Sequence, residues 1–474
     1  MTRVLMLLLV YVVSPFHHAL AGDQHSQVQE KNVRAHMEFL ASDALKGRGS
    51  ATEYELITAH YIASQFRQFG LVPSGDRDAN QQKTFLQTIP LTKQAFAEAP
   101  ALRVQANGQS IEWRHGQEMA CWRLASAEIS GPFQKLEIGG APQPGAFVLL
   151  NYAEEANAQE IGRNVFAMLQ QGAAAVMIAT PAEWQPRWER FAARMPELPT
   201  SFGAASGSGG GGSTILLNSA AANAMQQIPD GVVIQISGSL APPEIKHTWN
   251  VVGELAGSDP KRRHEAISLS AHMDHLGVRR PVAGDSIYNG ADDDASGVIA
   301  VLELARALSA GPRPKRTIYF VAYGSEEQGG FGSRYFIDHP PLPLENLVAN
   351  IQFEMIGRPD PKVAAHTLWL TGFERSNLGP ELAQRGARLV ADPHPQENFF
   401  QRSDNYILAK RGIIAHTVSS YGLHEEYHQP NDDIARIDFA HMTAAINAIH
   451  KPVLWLANSD FNPAWVAGKN PAEE

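Results

Sequence analysis

Five clusters of acidic residues and histidines occur in the second half of the chain, and several of them follow an apolar run. Imidazole and carboxylate groups are ligands of Zn²⁺ in sites that keep one coordination position open for water. The clusters therefore indicate a metal site with a catalytic base. They are Ala271-His-Met-Asp-His275, Asn289-Gly-Ala-Asp-Asp-Asp-Ala-Ser-Gly297, Ser325-Glu-Glu327, Phe353-Glu-Met-Ile-Gly357 and Tyr427-His-Gln-Pro430.

The adjacent acids Glu326 and Glu327 come directly after an apolar, strand-like run, and glycines flank them on both sides. Two metal ions about 3.5–4 Å apart need one bridging carboxylate and terminal ligands on each side. The clusters supply such a set and leave one glutamate free to act as a general base. Asp274, two residues after His272, is predicted to hold that imidazole in one tautomer from the second shell of the site.

One further pattern, His424-Glu-Glu-Tyr-His428, matches the H-E-x-x-H motif of another class of zinc peptidase. That motif requires a helix, because only a helix places both histidines on one face. Gly422 and Pro430 leave no room for a helix of adequate length. We therefore retain only His428 as a ligand, and interpret His275 and His424 as ordinary loop histidines.

Strand-like and helical segments alternate from about residue 246 onward, which is typical of an α/β domain with helices on both faces of a sheet. Ligands of open α/β sheets bind beyond the carboxyl ends of the strands, where the acidic clusters begin. The predicted strands are Ala266–Ser270, Thr317–Tyr323, Leu347–Phe353, Thr367–Thr371 and Ile413–Val418, and the predicted helices are Ala295–Ala310, Leu378–Leu389 and Phe439–Ala457. Two amphipathic helices between residues 30 and 70 are assigned to the same domain.

Residues 95–245 differ in character, with short β-like runs and few charged clusters, and we predict that they form an inserted second domain. Ala146–Leu150, a helix over 157–171 and Ala174–Ile178 form a predicted β-α-β unit. The run Ser206–Ser213 is rich in glycine and serine and is predicted to be a flexible loop. The domain that carries the acidic clusters then comprises residues 22–94 and 246–474.

Composition narrows the choice of compartment and partners. The 474 residues carry a net charge of -10 without a Lys/Arg-rich block, which argues against nucleic acid as a partner. The lone Cys121 excludes an intramolecular disulfide and a thiolate zinc site. Arg3, an apolar run over Val4–Val13 and Ala19-Leu-Ala21 predict a signal peptide at residues 1–21. We expect no membrane span and an exported protein, periplasmic or extracellular; the oligomeric state stays open.

Together these motifs resemble the co-catalytic dinuclear zinc peptidase family, which includes secreted bacterial leucyl aminopeptidases, glutamate carboxypeptidase and the glutaminyl cyclases. The resemblance covers about residues 30–90 and 246–458. It implies an α/β, three-layer zinc-exopeptidase-like domain in which a mixed, mostly parallel sheet lies between helices. The inserted, smaller β-rich segment resembles a protease-associated domain.

The resemblance also implies two Zn²⁺ ions per chain and a role for each matching residue. Glu354 stands where many relatives have Asp, and Asn405 replaces a histidine of the relatives in Ser403-Asp404-Asn405. The peptide bond between Asp292 and Asp293 is expected to be cis. The implied roles are metal ligands at His272, Asp292 (bridging), Glu327, Glu354 and His428, a general base at Glu326, and a tyrosine that polarises the substrate carbonyl at Tyr427.

The expected activity is exopeptidase cleavage of peptides or proteins, with an aminopeptidase favoured because Glu425 or Glu426 could bind a free α-amine. A glutamate-carboxypeptidase-like enzyme is an alternative that needs a cationic pocket, for which Arg358 and Arg402 are candidates. A glutaminyl-cyclase-like enzyme would use one zinc. A hypothesis from another functional class is that the chain is a non-catalytic peptide-binding protein.

Overall fold

The computed structural model describes residues 27–106, 108–153, 158–180, 188, 197–202 and 211–473. The predicted signal peptide and most of the predicted Gly/Ser loop lie outside the described residues. Among those described, no helix is long and apolar enough to cross a bilayer.

The described chain divides into two compact units. One unit comprises the part up to Ile89 and the part from His247 onward, and the other is Pro90–Lys246. The sequence placed these boundaries at 94/95 and 245/246. Both observed boundaries lie inside long strands, so no turn or change of composition marks them.

The strands in chain order are β1 Val72–Pro73, β2 Leu86–Ala106, β3 Gln109–Arg114, β4 Met119–Arg123, β5 Glu128–Glu137, β6 Phe147–Asn151, β7 Ala175–Ala179, β8 Glu197–Phe202, β9 Ser213–Leu217, β10 Val233–Leu240, β11 Glu244–Leu255, β12 Ala266–His272, β13 Gly277–Val282, β14 Asp285–Tyr288, β15 Thr317–Tyr323, β16 Leu347–Phe353, β17 Leu368–Leu370, β18 Leu389–Ala391 and β19 Ala415–Ser419.

The α-helices are α1 Glu30–Leu40, α2 Glu53–Gln68, α3 Ala158–Gln170, α4 Ser219–Gln226, α5 Gly297–Ser309, α6 Phe331–Asp338, α7 Leu378–Gln384, α8 Asp404–Ala409 and α9 Phe439–Asn458. Short helical segments lie at Asp43–Arg48, Ala291–Ser296, Leu344–Asn346, Pro395–Glu397, Phe399–Gln401 and Ile434–Arg436. One predicted helix was too long: α7 ends at Gln384, and Leu389, its predicted last residue, is the first residue of β18.

The larger unit contains the predicted mixed, mostly parallel sheet. The pairs β15–β12, β12–β16, β16–β19 and β17–β18 are parallel, whereas β1–β11, β11–β15 and β17–β19 are antiparallel. Alternate residues of β15 face opposite sides: Phe320 packs in the core with α1, α2, α5 and α9, and Val321 packs with α6 and α8. Helices thus cover both faces, which confirms the three-layer prediction.

The smaller unit is rich in β-structure, as predicted. Its β6, α3 and β7 form the expected β-α-β unit, with β6 and β7 parallel. Strand β9 extends this sheet in parallel with β7 and antiparallel to β4. A second set of antiparallel pairs joins β2 with β3 and β10, and β10 with β5.

Candidate metal centre

Three parallel strands deliver the acidic clusters to one edge of the sheet. His272, the last residue of β12, lies opposite Tyr323, the last residue of β15, and β16 runs beside β12 in the same direction. The residues that follow these strands therefore emerge at the same edge. Glu326 and Glu327 follow β15, and Glu354 follows β16 directly.

Asp293 lies at the centre of this edge and is almost fully buried. Its Oδ1 lies 3.2 Å from His272 Nε2. Its Oδ2 lies 3.2 Å from His428 Nε2 and 3.8 Å from His275 Nδ1. The two oxygens of one carboxylate thus face two separate groups of imidazoles, which is the arrangement that a bridging ligand requires.

Asp292, the residue predicted to bridge, faces elsewhere. Its Oδ1 accepts a hydrogen bond from the Gly357 amide at 2.7 Å, and its Oδ2 lies 3.0 Å from His424 Nε2. Adjacent side chains diverge here because the segment Ala291–Ser296 contains non-helical backbone at Asp293 and Asp294. The geometry therefore transfers the bridging position from Asp292 to Asp293. The cis peptide bond joins Asp293 to Asp294, one residue later than expected.

A second group of donors surrounds Asp293 Oδ2. His275, Asp293 and Glu327 offer atoms close enough to hold a metal ion, and His428 Nε2 lies 3.3 Å from Glu327 Oε1. His275 Nδ1 and Glu327 Oε1 are buried and approach to 2.9 Å, yet neither has a hydrogen-bond partner. Buried polar atoms are normally satisfied, so this pair has the arrangement expected of groups that could bind an ion together. Two imidazoles and two carboxylates are a suitable donor set for zinc.

The electrostatics of the group favour a bound cation. Burial alone would raise the pKa of Glu327, as does Asp293, but the imidazoles of His275 and His428 bring that pKa down to about 2. Burial would lower the pKa of His428, but Asp293 and Glu327 raise it to about 10. Without a metal ion, these carboxylates therefore hold a proton on the imidazole where zinc would otherwise bind.

The pKa values of Glu326 and Glu354 are shifted upward, in the opposite direction to that of Glu327. Burial, together with Asp404, Glu354 and Glu327, raises the pKa of Glu326 well above its usual value. Burial raises the pKa of Glu354 to about 7, although His272 opposes the shift. A carboxylate whose pKa is raised by burial accepts a proton more readily, as a general base must. Glu354 lies within electrostatic reach of His272 and Asp293.

Asp274 does not hold the His272 imidazole through its carboxylate, as the sequence suggested. His272 Nδ1 instead contacts the Asp274 backbone oxygen at 3.1 Å. The carboxylate accepts hydrogen bonds from the Glu326 amide at 2.9 Å and the Glu327 amide at 3.3 Å, and from Ser50 Oγ. Asp274 thus fixes the backbone of the two glutamates, while its carbonyl orients the imidazole.

Two more buried carboxylates hold the loops of the centre by their backbone amides. Asp432 accepts hydrogen bonds from the amides of Asp292 and Asp293 at 3.0 and 3.1 Å. Asp294 accepts from the amides of Gly297 and Met355 at 3.0 and 3.1 Å. These acids determine where the ligand-bearing segments lie.

Arg48 is a fully buried cation beside these acids. Its guanidinium donates to four backbone oxygens, those of Leu40, Met273, Asn289 and Gly290, at 2.6 to 2.9 Å. Burial lowers its pKa, which the charges of Asp294 and Asp432 oppose. Arg48 thereby links the segment after β12 to the segment before the aspartates.

A cavity adjoins the Glu354 side of the centre. Aromatic side chains and hydroxyl groups line it, together with Arg402. Tyr427 forms part of the wall and stacks on the His428 ring at a centroid distance of 3.9 Å. The predicted carbonyl-binding tyrosine therefore lies between the metal ligands and the cavity. The other aromatic lining residues are Trp369, Phe399 and Tyr421.

The structure identifies two residues that sequence reasoning missed. His275 was interpreted as a loop histidine, although it stands three residues after His272 at the end of the same strand. Asp293 has identical neighbours on both sides, so no feature of the sequence distinguishes it. The segment from His424 to His428 is a turn rather than a helix, as Gly422 and Pro430 predicted.

Comparison with known proteins shows a similarity to one peptidase family. Residues 250–453 match the sequence profile of peptidase family M28. Leupeptin-inactivating enzyme 1 of Streptomyces exfoliatus is 32% identical over 117 residues, which cover 24% of each chain. Probable leucine aminopeptidase 2 of Aspergillus oryzae is 29% identical over 178 residues, which cover 36% of this chain and 33% of that protein. The alignments thus span about a quarter to a third of these relatives.

Solved structures show the same fold over most of the chain. An aminopeptidase from Aneurinibacillus sp. strain AM-1 superposes with a TM-score of 0.58 at 18% identity, covering 93% of this chain and 97% of that one. The fold is α/β and resembles that of an aminopeptidase, and one edge of its sheet carries side chains that could hold metal ions. Within it, residues 250–453 are similar to peptidase family M28.

Proposed function

We propose that this protein is a zinc-dependent aminopeptidase with two metal ions per chain. The observation that carries the proposal is the position of Asp293, whose two oxygens face His272 on one side and His428 on the other. A one-zinc site, as in a glutaminyl-cyclase-like enzyme, would not need both oxygens. The match to an M28 peptidase profile and the relatives named as aminopeptidases support cleavage of peptides.

In the proposed centre, one zinc would be held by His272, Asp293 and Glu354. The other would be held by Asp293, Glu327 and His428. Zinc bound there supplies Lewis-acid chemistry, which polarises a peptide carbonyl and acidifies water.

The residues of the chain supply the proton transfers and the positioning. Glu326 takes a proton from the attacking water and delivers it to the leaving amine. Asp274 keeps Glu326 in place through its backbone amide. Tyr427, on the wall of the cavity beside the ligands, donates to the oxyanion that forms at the carbonyl.

The cavity beside Glu354 is the proposed binding site for the side chain at the cleaved bond. Its aromatic wall favours apolar side chains. Arg402 is the observation that favours a second candidate, a carboxypeptidase, because it lines the cavity and could bind a carboxylate. Arg358 is less suited to that role, since Glu426 pairs with it at 3.0 Å. The same pair leaves the exposed Glu425 as the acid available to a free α-amine.

Matched peptides with free and blocked N-termini distinguish the two activities. An aminopeptidase cleaves only peptides with a free N-terminus, shortens them from that end, and loses activity to a chelator with recovery on adding zinc. Shortening of N-blocked peptides from the C-terminus would establish the carboxypeptidase instead. Absence of chelator-sensitive cleavage of any peptide would leave the non-catalytic binding protein.

Substitution Glu326→Gln tests the assignment of the base. The amide cannot accept the proton, so we expect kcat to fall by about 10²–10⁴-fold while zinc content stays at the wild-type level. Kinetics on an aminoacyl-anilide and metal analysis of the same sample provide the measurement. Near-normal turnover in the variant would remove Glu326 from this role.

Removal of residues 1–21 and export are part of the proposal. Sequencing the N-terminus of the secreted protein checks both.

A further inference from the structure

His275 is a fully buried histidine without a hydrogen-bond partner on either ring nitrogen. A buried imidazole without hydrogen bonds is destabilising, because its nitrogens have lost their hydrogen bonds to water. Other buried histidines of this unit contrast with it: His416 contacts Ser376 Oγ at 2.7 Å and the Thr371 oxygen at 2.8 Å. The absence of a hydrogen bond at both His275 nitrogens therefore requires an explanation.

The surroundings of His275 Nδ1 provide one. It lies 2.9 Å from Glu327 Oε1 and 3.8 Å from Asp293 Oδ2, and His428 Nε2 lies 3.2–3.3 Å from both of those oxygens. Zinc bonds of about 2.0–2.1 Å place the atoms of a tetrahedral shell about 3.3–3.5 Å apart. The observed separations scatter around that value. The close approach to Glu327 is not aligned as a hydrogen bond, as expected when both atoms point to a shared ion.

The backbone fixes His275 in this place. The His275 amide donates to the Arg48 oxygen at 3.1 Å. Gly290 lies against the ring with φ at 59°, and a Cβ there would lie 2.5 Å from His275 Cγ. A side chain at position 290 would thus displace the imidazole. Glycine at this position leaves room for the His275 ring.

We propose that His275 is a third imidazole ligand of the centre, binding through Nδ1 the zinc that Glu327, His428 and Asp293 Oδ2 also hold. The inference rests on the proposed function only in requiring zinc at the centre. It assigns four protein donors to this zinc and three to the zinc between His272, Asp293 Oδ1 and Glu354.

This difference in ligand number has a consequence for the chemistry. Zinc sites with four protein ligands are typically closed, whereas catalytic sites retain an open position. The zinc on the Glu327 side should therefore be retained more tightly, and the zinc on the His272 side should be exchanged first.

X-ray absorption at the zinc edge of the fully loaded wild-type protein counts the imidazoles directly. We expect three imidazoles for two zinc ions, from His272, His275 and His428. Two imidazoles would overturn the proposal, even in a protein that binds two zinc ions and cleaves peptides. This measurement needs no variant, so it stands if a substitution at His275 prevents folding.

A chelator titration of His275→Asn gives the second test. Asparagine can donate a hydrogen bond to Glu327 but binds zinc weakly, so it separates a ligand from a hydrogen-bond donor. We expect the retained zinc to be removed at a chelator concentration at least about tenfold lower than in the wild type, with one imidazole fewer in the absorption spectrum. His339→Asn, at an exposed histidine away from the centre, serves as the matched control.

Retention of zinc by His275→Asn at wild-type chelator concentrations would overturn the proposal. The outcome is independent of the proposed activity, because zinc content is measured without substrate. Failure of the protein to cleave any peptide would instead contradict the proposed function and leave the ligand count to be decided by spectroscopy.

Discussion

The buried carboxylates at the sheet edge divide into two sets that differ in what their oxygens face. Asp293 and Glu327 face imidazoles, and those imidazoles hold both pKa values below the usual range despite burial. Asp274, Asp294 and Asp432 face backbone amides, and burial raises their pKa values. We call the first set metal-facing and the second amide-facing.

The difference shows that acids gathered at one edge of the sheet perform two tasks. Metal-facing carboxylates require a cation opposite them, whether a proton on an imidazole or a metal ion. Amide-facing carboxylates fix the segments on which the ligands stand, as outer-shell groups of metal sites generally do. Arg48 lies beside both sets and fixes the same segments. It donates hydrogen bonds to their backbone oxygens, whereas the carboxylates accept hydrogen bonds from their backbone amides.

The largest effect should separate Asp293 from its neighbour. Asp293→Asn removes the charge between the two groups of imidazoles, so we expect loss of bound zinc and a fall in kcat/KM of about 10³-fold or more, equivalent to about 4 kcal/mol. Asp292→Asn should retain zinc, because its carboxylate contacts Gly357 and His424. Metal analysis and kinetics of the two variants measure the contrast. Zinc loss only in Asp292→Asn would restore the assignment first made from the sequence.

Removal of the buried cation should have the next largest effect. Arg48→Met leaves four buried backbone oxygens without their donor, so we expect the free energy of unfolding to fall by about 3 to 5 kcal/mol. Denaturant unfolding of the zinc-loaded protein provides the measurement. Arg411→Met is the control: Arg411 is exposed and pairs with Asp338, so its loss should cost less than about 1 kcal/mol. Equal costs for the two substitutions would contradict the role given to Arg48.

The smallest of the three effects should come from an amide-facing acid. Asp274→Asn turns an NH₂ group toward one of the two glutamate amides, so the Glu326–Glu327 backbone loses one of its hydrogen bonds. We expect kcat/KM to fall by about 10–100-fold with zinc retained. Asp259→Asn, an exposed aspartate that accepts an amide at Lys261, should leave both quantities unchanged. A complete loss of zinc in Asp274→Asn would move Asp274 into the metal-facing set.

The sheet was predictable from the sequence because its strands are nearly continuous apolar runs. Thr317–Tyr323 and Leu347–Phe353 were predicted with the observed boundaries, since both strands are buried on two faces. The end of α7 was marked in the sequence and was missed: Gly386, two residues after Gln384, has a φ of 95° and ends the helix. The boundaries of the inserted unit were not predictable, because they fall within continuous strands.

The candidate site was predictable as a set of clusters but not as a set of atoms. Residue types and their positions after strands indicated metal chemistry at His272, Glu326, Glu327, Glu354 and His428, and the structure brings all of these to one edge. The choice among three adjacent aspartates was not predictable, because identical side chains carry no information about direction. Backbone dihedral angles at Asp293 and Asp294 decide which carboxylate turns toward the imidazoles.

The sequence by itself determined the layered α/β class, the edge of the sheet that carries the chemistry, and the kind of ligand available there. Strand periodicity and residue type are local properties, so they can be read along the chain. Only the tertiary structure decided that Asp293 lies between two groups of imidazoles, that Asp274 binds amides, and that His275 is buried without a partner. Those facts depend on atoms from segments far apart in the chain, whose relative positions are set by how the strands and loops pack.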